Sequence, residues 1–476
     1  MRQDWHCKLQ GTKRSKRKIK QGCAAHQVHQ LAATEPPVGV SLVKSTALLA
    51  TWQESVGNLC LGGGTFLTLS HNMPWSLYFA ATLFYAFTTT SGLPAPGVVT
   101  SWAFRENATW TYSHCSSFIQ FPSSQTLLAV FQATQSHEGG STQTKFLVRS
   151  SDNGLTWSPP SILVTPSNTS GTELLPWDGT MFLDQAGHAR YVFATSPFGQ
   201  QSAGDLYTMS SSDEGVTWSA PSLVFPRTVW GRVMSNINPP VLLKGGALAL
   251  PVNTVPGIYK DQGPVTIGLV LVGGDGEQWS PLGTVPSNLI NISTYLEPAV
   301  AVCPAPQDDQ LLALLRTNIG ELWAARSTDS GASWSLPYQT PFRNPDSKVN
   351  LMRWKGVAAG ASSSGPQDGD LVLTLNPFAP WGTPNCNATH PDCARSPLSL
   401  TVSTDCGGSW GSLFDLETDG DGEVSFGYPT AHQCTDAGGE PAVCLTYSLG
   451  TDGSKFGGIR FAMVPAANLL RGALRE

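Results

Sequence analysis

Short apolar runs alternate with turn residues along most of the chain. Stretches such as Phe146-Leu147-Val148-Arg149 and Leu311-Leu312-Ala313-Leu314-Leu315 predict buried or half-buried strands, and the Gly, Pro, Asp and Ser between such runs predict tight turns. A longer period lies over this pattern. Ser151-Asp152-Asn153-Gly154-Leu155-Thr156-Trp157 returns as Ser212-Asp213-Glu214-Gly215-Val216-Thr217-Trp218, as Thr328-Asp329-Ser330-Gly331-Ala332-Ser333-Trp334 and as Thr404-Asp405-Cys406-Gly407-Gly408-Ser409-Trp410. An eroded copy is Gly274-Asp275-Gly276-Glu277-Gln278-Trp279. In each copy Asp turns the chain and accepts backbone N–H bonds, Gly supplies a positive φ, Ser or Thr braces the loop, and Trp anchors it. The spacing is roughly 50 to 75 residues, the length of one four-stranded sheet with its loops.

The S/T-D-x-G-x-[TS]-W pattern resembles the Asp-box of sialidases and related β-propellers, from near Trp102 to near Pro465. The resemblance implies an all-β, six-bladed, sialidase-like propeller over 98–467, with one blade lacking its box, and a short C-terminal tail over 468–476. Radial stacking is a sensible outcome, because a small sheet cannot bury both faces alone. The boxes themselves are structural, so activity has to be argued from other residues.

Charged residues make up only 13% of the chain, while Gly (48), Pro (35) and Trp (15) are plentiful. Residues 1–72 hold 9 Lys/Arg against 3 Asp/Glu, leaving 19 against 31 in the remainder. An acidic body excludes nucleic acid as the main partner. The basic run Lys13-Arg14-Ser15-Lys16-Arg17-Lys18-Ile19-Lys20 reads as part of a solvated, disordered extension over 1–72. The segment 73–97 contains 13 uncharged residues from Trp75 to Phe87, followed by small ones, which is the pattern of a signal-peptide core or a short anchor. Translation starting at Met73 would place it first.

Four sequons begin at Asn107, Asn168, Asn291 and Asn387. Seven cysteines follow Met73. Cys386 with Cys393 and Cys434 with Cys444 are close enough to close small loops, leaving Cys115, Cys303 and Cys406, an odd count. Secretion or a secretory-pathway lumen is the expectation, with membrane anchoring through 75–87 as the alternative. No cofactor or metal is expected, and a monomer acting on glycans is.

The family resemblance also assigns candidate chemistry. Sialidases use a Tyr nucleophile activated by Glu, because a phenol is not repelled by the substrate carboxylate as an anion would be. Ser425-Phe426-Gly427-Tyr428-Pro429 resembles the nucleophile segment, which makes Tyr428 the nucleophile. Leu296-Glu297-Pro298-Ala299 and the run ending in Arg316 imply Glu297 as its base and Arg316 as a carboxylate-binding arginine. A charge closing so apolar a run needs a partner. Arg395 matches a second arginine. Glu138, on the loop His137-Glu138-Gly139-Gly140 before the first box, is the acid/base candidate, expected to move in over bound sugar, where the family has Asp. The departure lies in the first blade, where Tyr112-Ser113-His114-Cys115-Ser116-Ser117 stands in place of an arginine. His114 is expected to replace it as a donor, which imidazole does without the bidentate fork. Trp177, Asp178, Asn236 and Asn238 are candidate sugar contacts at the starts of inner strands. The implied activity is that of a retaining exo-glycosidase removing a terminal acidic sugar; the alternatives are a glycan-binding propeller and a hydrolase or lyase acting on uronic-acid glycans.

Overall fold

The computed structural model describes 95–471 except 170–171, 198–203, 227–231, 236, 256–265, 273–278, 287–294, 357–364, 379–394, 420–423 and 452–454, together with the strands Asn58–Leu61 and Thr65–Thr68. Two compact units divide the chain, 1–91 and 92–476. In the first, the two strands pair as an antiparallel hairpin. The 75–87 segment, the eroded box up to residue 278, Asn236 and the Cys386/Cys393 pair lie outside the described residues. No helix among those described is long and apolar enough to cross a membrane.

The second unit is all β apart from the short 3₁₀ turn Ala466–Asn468. Its strands form six antiparallel sheets of four or five strands. Their first, axial strands are Tyr112–Gln120, Thr172–Leu183, Arg232–Ser235 with Val241–Leu242, Tyr295–Val302, Asn350–Arg353 and Val424–Thr435. Five axial strands are unbroken; in the third sheet two short pieces both pair with Leu248–Val255. Six buried apolar clusters each join one sheet to the next, the last to the first through Phe461, Ile459, Phe118 and Phe131. Covalent order closes the circle too, since Val99–Arg105 supplies the outer strand of the final sheet. This is a β-propeller arrangement, in which closure leaves no long sheet edge open.

The boxes show why their residue types recur. Asp152 accepts the backbone N–H of Thr156 at 2.9 Å and its hydroxyl at 2.5 Å. Residue Asn153 and Gly154 both sit at positive φ, 55° and 83°. Trp157 Nε1 donates to the Gly154 carbonyl at 3.2 Å. A serine two places before the Asp belongs to the motif as well. Ser150, Ser211, Ser327 and Ser403 each donate to the box Asp and receive the N–H of the box Gly. The box glycines abut the neighbouring sheet: Gly154 meets Phe461, Gly215 meets Leu128 and Gly407 meets Leu312. One box also carries a disulfide, Cys303–Cys406, across a separation of 103 residues, while Cys434–Cys444 ties a hairpin.

Gly154 therefore has two reasons to stay glycine, its φ and its neighbour. A Cβ there would lie 2.1 Å from the Phe461 ring, whereas one at Gly187, also at positive φ (79°), meets nothing within 4 Å. Gly154→Ala is expected to cost roughly 2–4 kcal/mol in denaturant unfolding and Gly187→Ala only about 1 kcal/mol. Equal losses would mean that the ring contact contributes nothing.

Candidate functional site

Four axial strands carry the same irregularity. Between His114 and Ser117, Trp177 and Thr180, Leu296 and Ala299, and Gly427 and Thr430, the strand holds one residue more than its partner. Each is a β-bulge, which bends a strand and re-aims a side chain. The residue that opens each bulge is non-glycine at positive φ: Cys115 (49°), Asp178 (35°), Glu297 (50°) and Tyr428 (57°). Asp346 (53°), just before the fifth axial strand, shares that conformation. Such backbone costs on the order of 1–2 kcal/mol per residue and concentrates at functional sites. In the first sheet the counterpart of Glu297 and Tyr428 is therefore Cys115, with His114 one residue before it. His114, expected in place of the family's arginine, thus stands immediately before that bulge.

Arg316 organises one half of the centre. It donates from Nη1 to Glu297 Oε2 at 2.7 Å and to the Tyr428 hydroxyl, and from Nε to Asp346 Oδ1 at 2.6 Å. Burial works against its charge, and Asp346 and Glu297 outweigh it, so Arg316 is held well above its ordinary range. Nη2 has no bond among the described residues. Arg395 is 7% exposed and lies 5.1 Å from the Tyr428 ring centre. It donates from Nη2 to the Asp346 carbonyl at 2.9 Å, while its Nε is buried with no acceptor. No described carboxylate pairs with it. A buried guanidinium in that state needs an anion.

Burial raises the Tyr428 phenol well above its ordinary range, with Arg316 pulling the other way. The phenol keeps its proton at neutral pH, so nucleophilic attack requires a base. Glu297 is bonded to the same guanidinium nitrogen as the phenol.

The other half of the centre is built on the first two sheets. His114 stacks on Phe456 at 4.3 Å, sits 4.0 Å from the Tyr428 ring and shares a hydrogen bond of 2.9 Å between Nδ1 and Ser448 Oγ. Burial, then Arg395 and Arg316, push its imidazole well below the usual histidine range. The ring is therefore neutral at neutral pH, and as a donor it carries no charge. Glu138 accepts from Gln132 Nε2 at 2.8 Å, and Gln132 Oε1 accepts from buried Lys145 at 2.9 Å. Burial, then Glu297, raise the Glu138 carboxyl. Its turn is tied down: Gly139 N–H donates to Gln143 Oε1, and Gly140 N–H to the His137 carbonyl. Asp178, its carboxyl pushed up to about 7 by burial, accepts from Cys115 Sγ at 3.5 Å. Lys145 is pushed down to about 8, also by burial.

Two expected sugar contacts serve other ends. Trp177 is 4% exposed, packed with Phe182, Val192 and Leu206 and backed against Gly139, so it offers no free face for stacking. Asn238 spends its amide on the carbonyls of Glu297 and Pro298, at 3.1 and 3.0 Å, bracing that bulge. Asn236 lies outside the described residues.

Several contributors were not singled out from the sequence. Lys145 and Lys348 are charges in otherwise buried strand surroundings, the signal that drew attention to Arg316. Lys348, pushed down to about 7 by burial, donates to the Pro429 carbonyl beside Tyr428. Asp346 stands in Asn344-Pro345-Asp346-Ser347, where the Asn344 side chain bonds Ser347 and shapes the turn. A cavity of about 770 Å³ is lined by residues including Trp102, Tyr112, His137 and Leu449, and by none of His114, Glu138, Glu297, Arg316, Arg395 or Tyr428.

The family model of the BNR repeat-like domain matches residues 124–440. No curated protein matches by sequence. Among solved structures the fold is similar to a Hadza microbial sialidase, Hz136, at 17% identity and TM-score 0.57, over 77% of this chain and 68% of that one. It is similar to the NanB sialidase of Streptococcus pneumoniae at 10% identity and TM-score 0.54, over 81% and 73%. A protein of unknown function from Dyadobacter fermentans aligns over its whole length and 78% of this chain, at 15% identity and TM-score 0.54.

The neutral state of His114 has a measurable consequence. Unfolded, its imidazole takes a proton near pH 6.5; folded, it does so only at lower pH, with Arg395, Arg316, Lys145 and Lys348 opposing the charge. The folded state thus binds fewer protons below pH 6.5, and stability falls as pH drops through that window. His114→Gln is expected to flatten the fall between pH 7 and 5 in denaturant titrations. An unaltered slope would mean that His114 titrates normally.

Proposed function

The chain belongs to the BNR repeat-like, sialidase-like family, and on that premise we propose that it is a retaining exo-glycosidase removing a terminal acidic sugar from glycans. The observation that carries this reading is Arg395, a buried guanidinium whose Nε has no acceptor among the described residues, set against the Tyr428 ring that Arg316 also faces. Together they offer a sugar carboxylate a charged, water-poor seat. The carboxylate also explains a phenol as nucleophile. Glu297 takes the Tyr428 proton as oxygen attacks the anomeric carbon. Glu138, raised toward the protonated state, gives its proton to the leaving oxygen and later recovers one from water.

We count each of the six sheets as one blade, with the third sheet the irregular one. The same reading places the protein in a secretory compartment: two disulfides are formed, and Asn107 of the first sequon is exposed. A glycan-binding propeller without turnover is the second reading, favoured by His114 and Cys115 standing where an arginine is expected.

Fluorogenic sialosides and uronate glycosides tested side by side identify the sugar class. Tyr428→Phe is expected to lower kcat at least about 10³-fold while leaving ligand affinity within a few-fold. Arg395→Met is expected to weaken binding about 10- to 100-fold, as loss of charge-assisted hydrogen bonds does. Full activity in Tyr428→Phe would remove the nucleophile assignment. Binding without turnover of either substrate by the unaltered protein would establish the second reading.

A further inference from the structure

One ring nitrogen of His114, the Cys115 sulfur and a carboxylate oxygen of Glu138 all lie within 4.8 Å of one another. No acid–base or carboxylate-binding role accounts for the thiol, a free cysteine buried at a bulge where its neighbours in other sheets are Asp178, Glu297 and Tyr428. We propose that His114, Cys115 and Glu138 form a binding site for a borderline-soft divalent cation of the zinc type.

The donor set is one such an ion takes: imidazole nitrogen, thiolate and carboxylate, with a fourth position open to water. A tetrahedral zinc with bonds of about 2.0–2.3 Å holds its ligand atoms roughly 3.5 Å apart, so the three need to close by little more than about an ångström. Each ligand already has an outer partner of the kind that orients metal ligands. Ser448 Oγ holds His114 Nδ1 at 2.9 Å, which leaves Nε2 to coordinate. Gln132 Nε2 donates to Glu138 Oε1 at 2.8 Å, and Oε2 accepts from no group among the described residues. Asp178 Oδ1 lies 3.5 Å from Cys115 Sγ and accepts the thiol proton in the metal-free state.

Arg395, Arg316, Lys145 and Lys348 oppose a positive charge at this cluster, and the two negative charges of thiolate and carboxylate are what a dication sets against them. Binding forms three metal–ligand bonds and releases the thiol proton to water, together with the Glu138 proton when it is present; nothing is oxidised. Because the ion takes up Glu138, it holds back the group that the glycosidase reading uses as acid. Metal occupancy and turnover are then mutually exclusive, a consequence that rests on that reading although the metal site itself does not.

The test uses cobalt(II) as a spectroscopic stand-in for zinc, added to the full-length reduced-thiol protein with its disulfides intact. A thiolate-to-cobalt charge-transfer band in the near ultraviolet is expected, saturating with one equivalent and displaced by zinc. Cys115→Ser, nearly isosteric, should abolish the band; Ser448→Ala should weaken cobalt affinity about 10- to 100-fold with the band retained. Far-ultraviolet circular dichroism of both variants checks that they fold. No band at millimolar cobalt, or an undiminished band in Cys115→Ser, overturns the site. These readouts do not depend on any glycoside being cleaved. A protein that binds cobalt at Cys115 but turns over no substrate would lose the glycosidase reading and keep the metal one.

Discussion

The centre of this propeller depends on one backbone device, the single-residue bulge near the start of an axial strand. A regular strand would point alternate side chains into the sheet-to-sheet clusters and could not also deliver a residue toward the axis. The bulge adds a residue, reverses its φ and re-aims it. Positive φ is unfavourable for Cys, Asp, Glu and Tyr, so each bulge needs bracing from outside its own strand. The Glu297 bulge is held by Asn253 on its N–H and by Asn238 on two carbonyls. The Tyr428 bulge is held by Lys348 on the Pro429 carbonyl, while Thr430 donates to the Ser116 carbonyl of the first sheet at 2.8 Å. One sheet's bulge is thereby fixed by its neighbour's, and the geometry of the centre is a property of the closed ring rather than of any one blade.

Charge then divides that centre in two. On one side Arg316 and Arg395 flank Tyr428, and Glu297 and Asp346 match them in number but both pair with Arg316, so Arg395 has no carboxylate partner among the described residues. On the other side burial drives titratable groups toward neutrality: His114 down, Cys115 up, Glu138 up, and Asp178 and Lys145 toward one another. The first side suits a fixed anion. The second suits groups that exchange protons, because a group held near neutrality passes a proton at little cost. Within that second side Gln132 joins two such groups, since it bonds both Lys145 and Glu138.

The parts legible in the sequence were those written in residue identity at short range. Asp-boxes announce themselves because turn, hydroxyl brace and Trp anchor fall within a few positions, and only the preceding serine escaped notice. Glu297, Arg316, Arg395 and Tyr428 were legible through resemblance, aided by the improbability of a charge closing a run such as Leu311 to Leu315. The bulges were not legible. A one-residue insertion leaves the alternation of apolar and polar positions nearly intact, so the place of Cys115 at the bulge, one residue after His114, was not visible. Trp177 shows the opposite error: an aromatic beside an acidic residue looked like a sugar platform, and its ring is spent on the core between the second and third sheets. Lys145 hid inside a run of buried strand residues, where only the Gln132 and Glu138 pairing reveals its use.

The first sheet's departure from arginine is best understood through those same bulges. An arginine on the strand before the bulge would set a third guanidinium against two carboxylates, Glu297 and Asp346, and would rely on the substrate to compensate. His114, stacked on Phe456 and kept neutral, adds hydrogen-bonding capacity with no charge, and Cys115 adds a thiol whose burial, with Asp178 and Glu138 beside it, favours the protonated form. The exchange lowers the cost of the empty centre, because fewer buried charges wait for a ligand. It also lowers the discrimination in favour of a carboxylate, which now rests on Arg316 and Arg395 alone. A site of that kind selects its sugar less by charge than by what His114, Cys115 and Glu138 touch, and that corner is where this chain departs from the pattern it otherwise resembles.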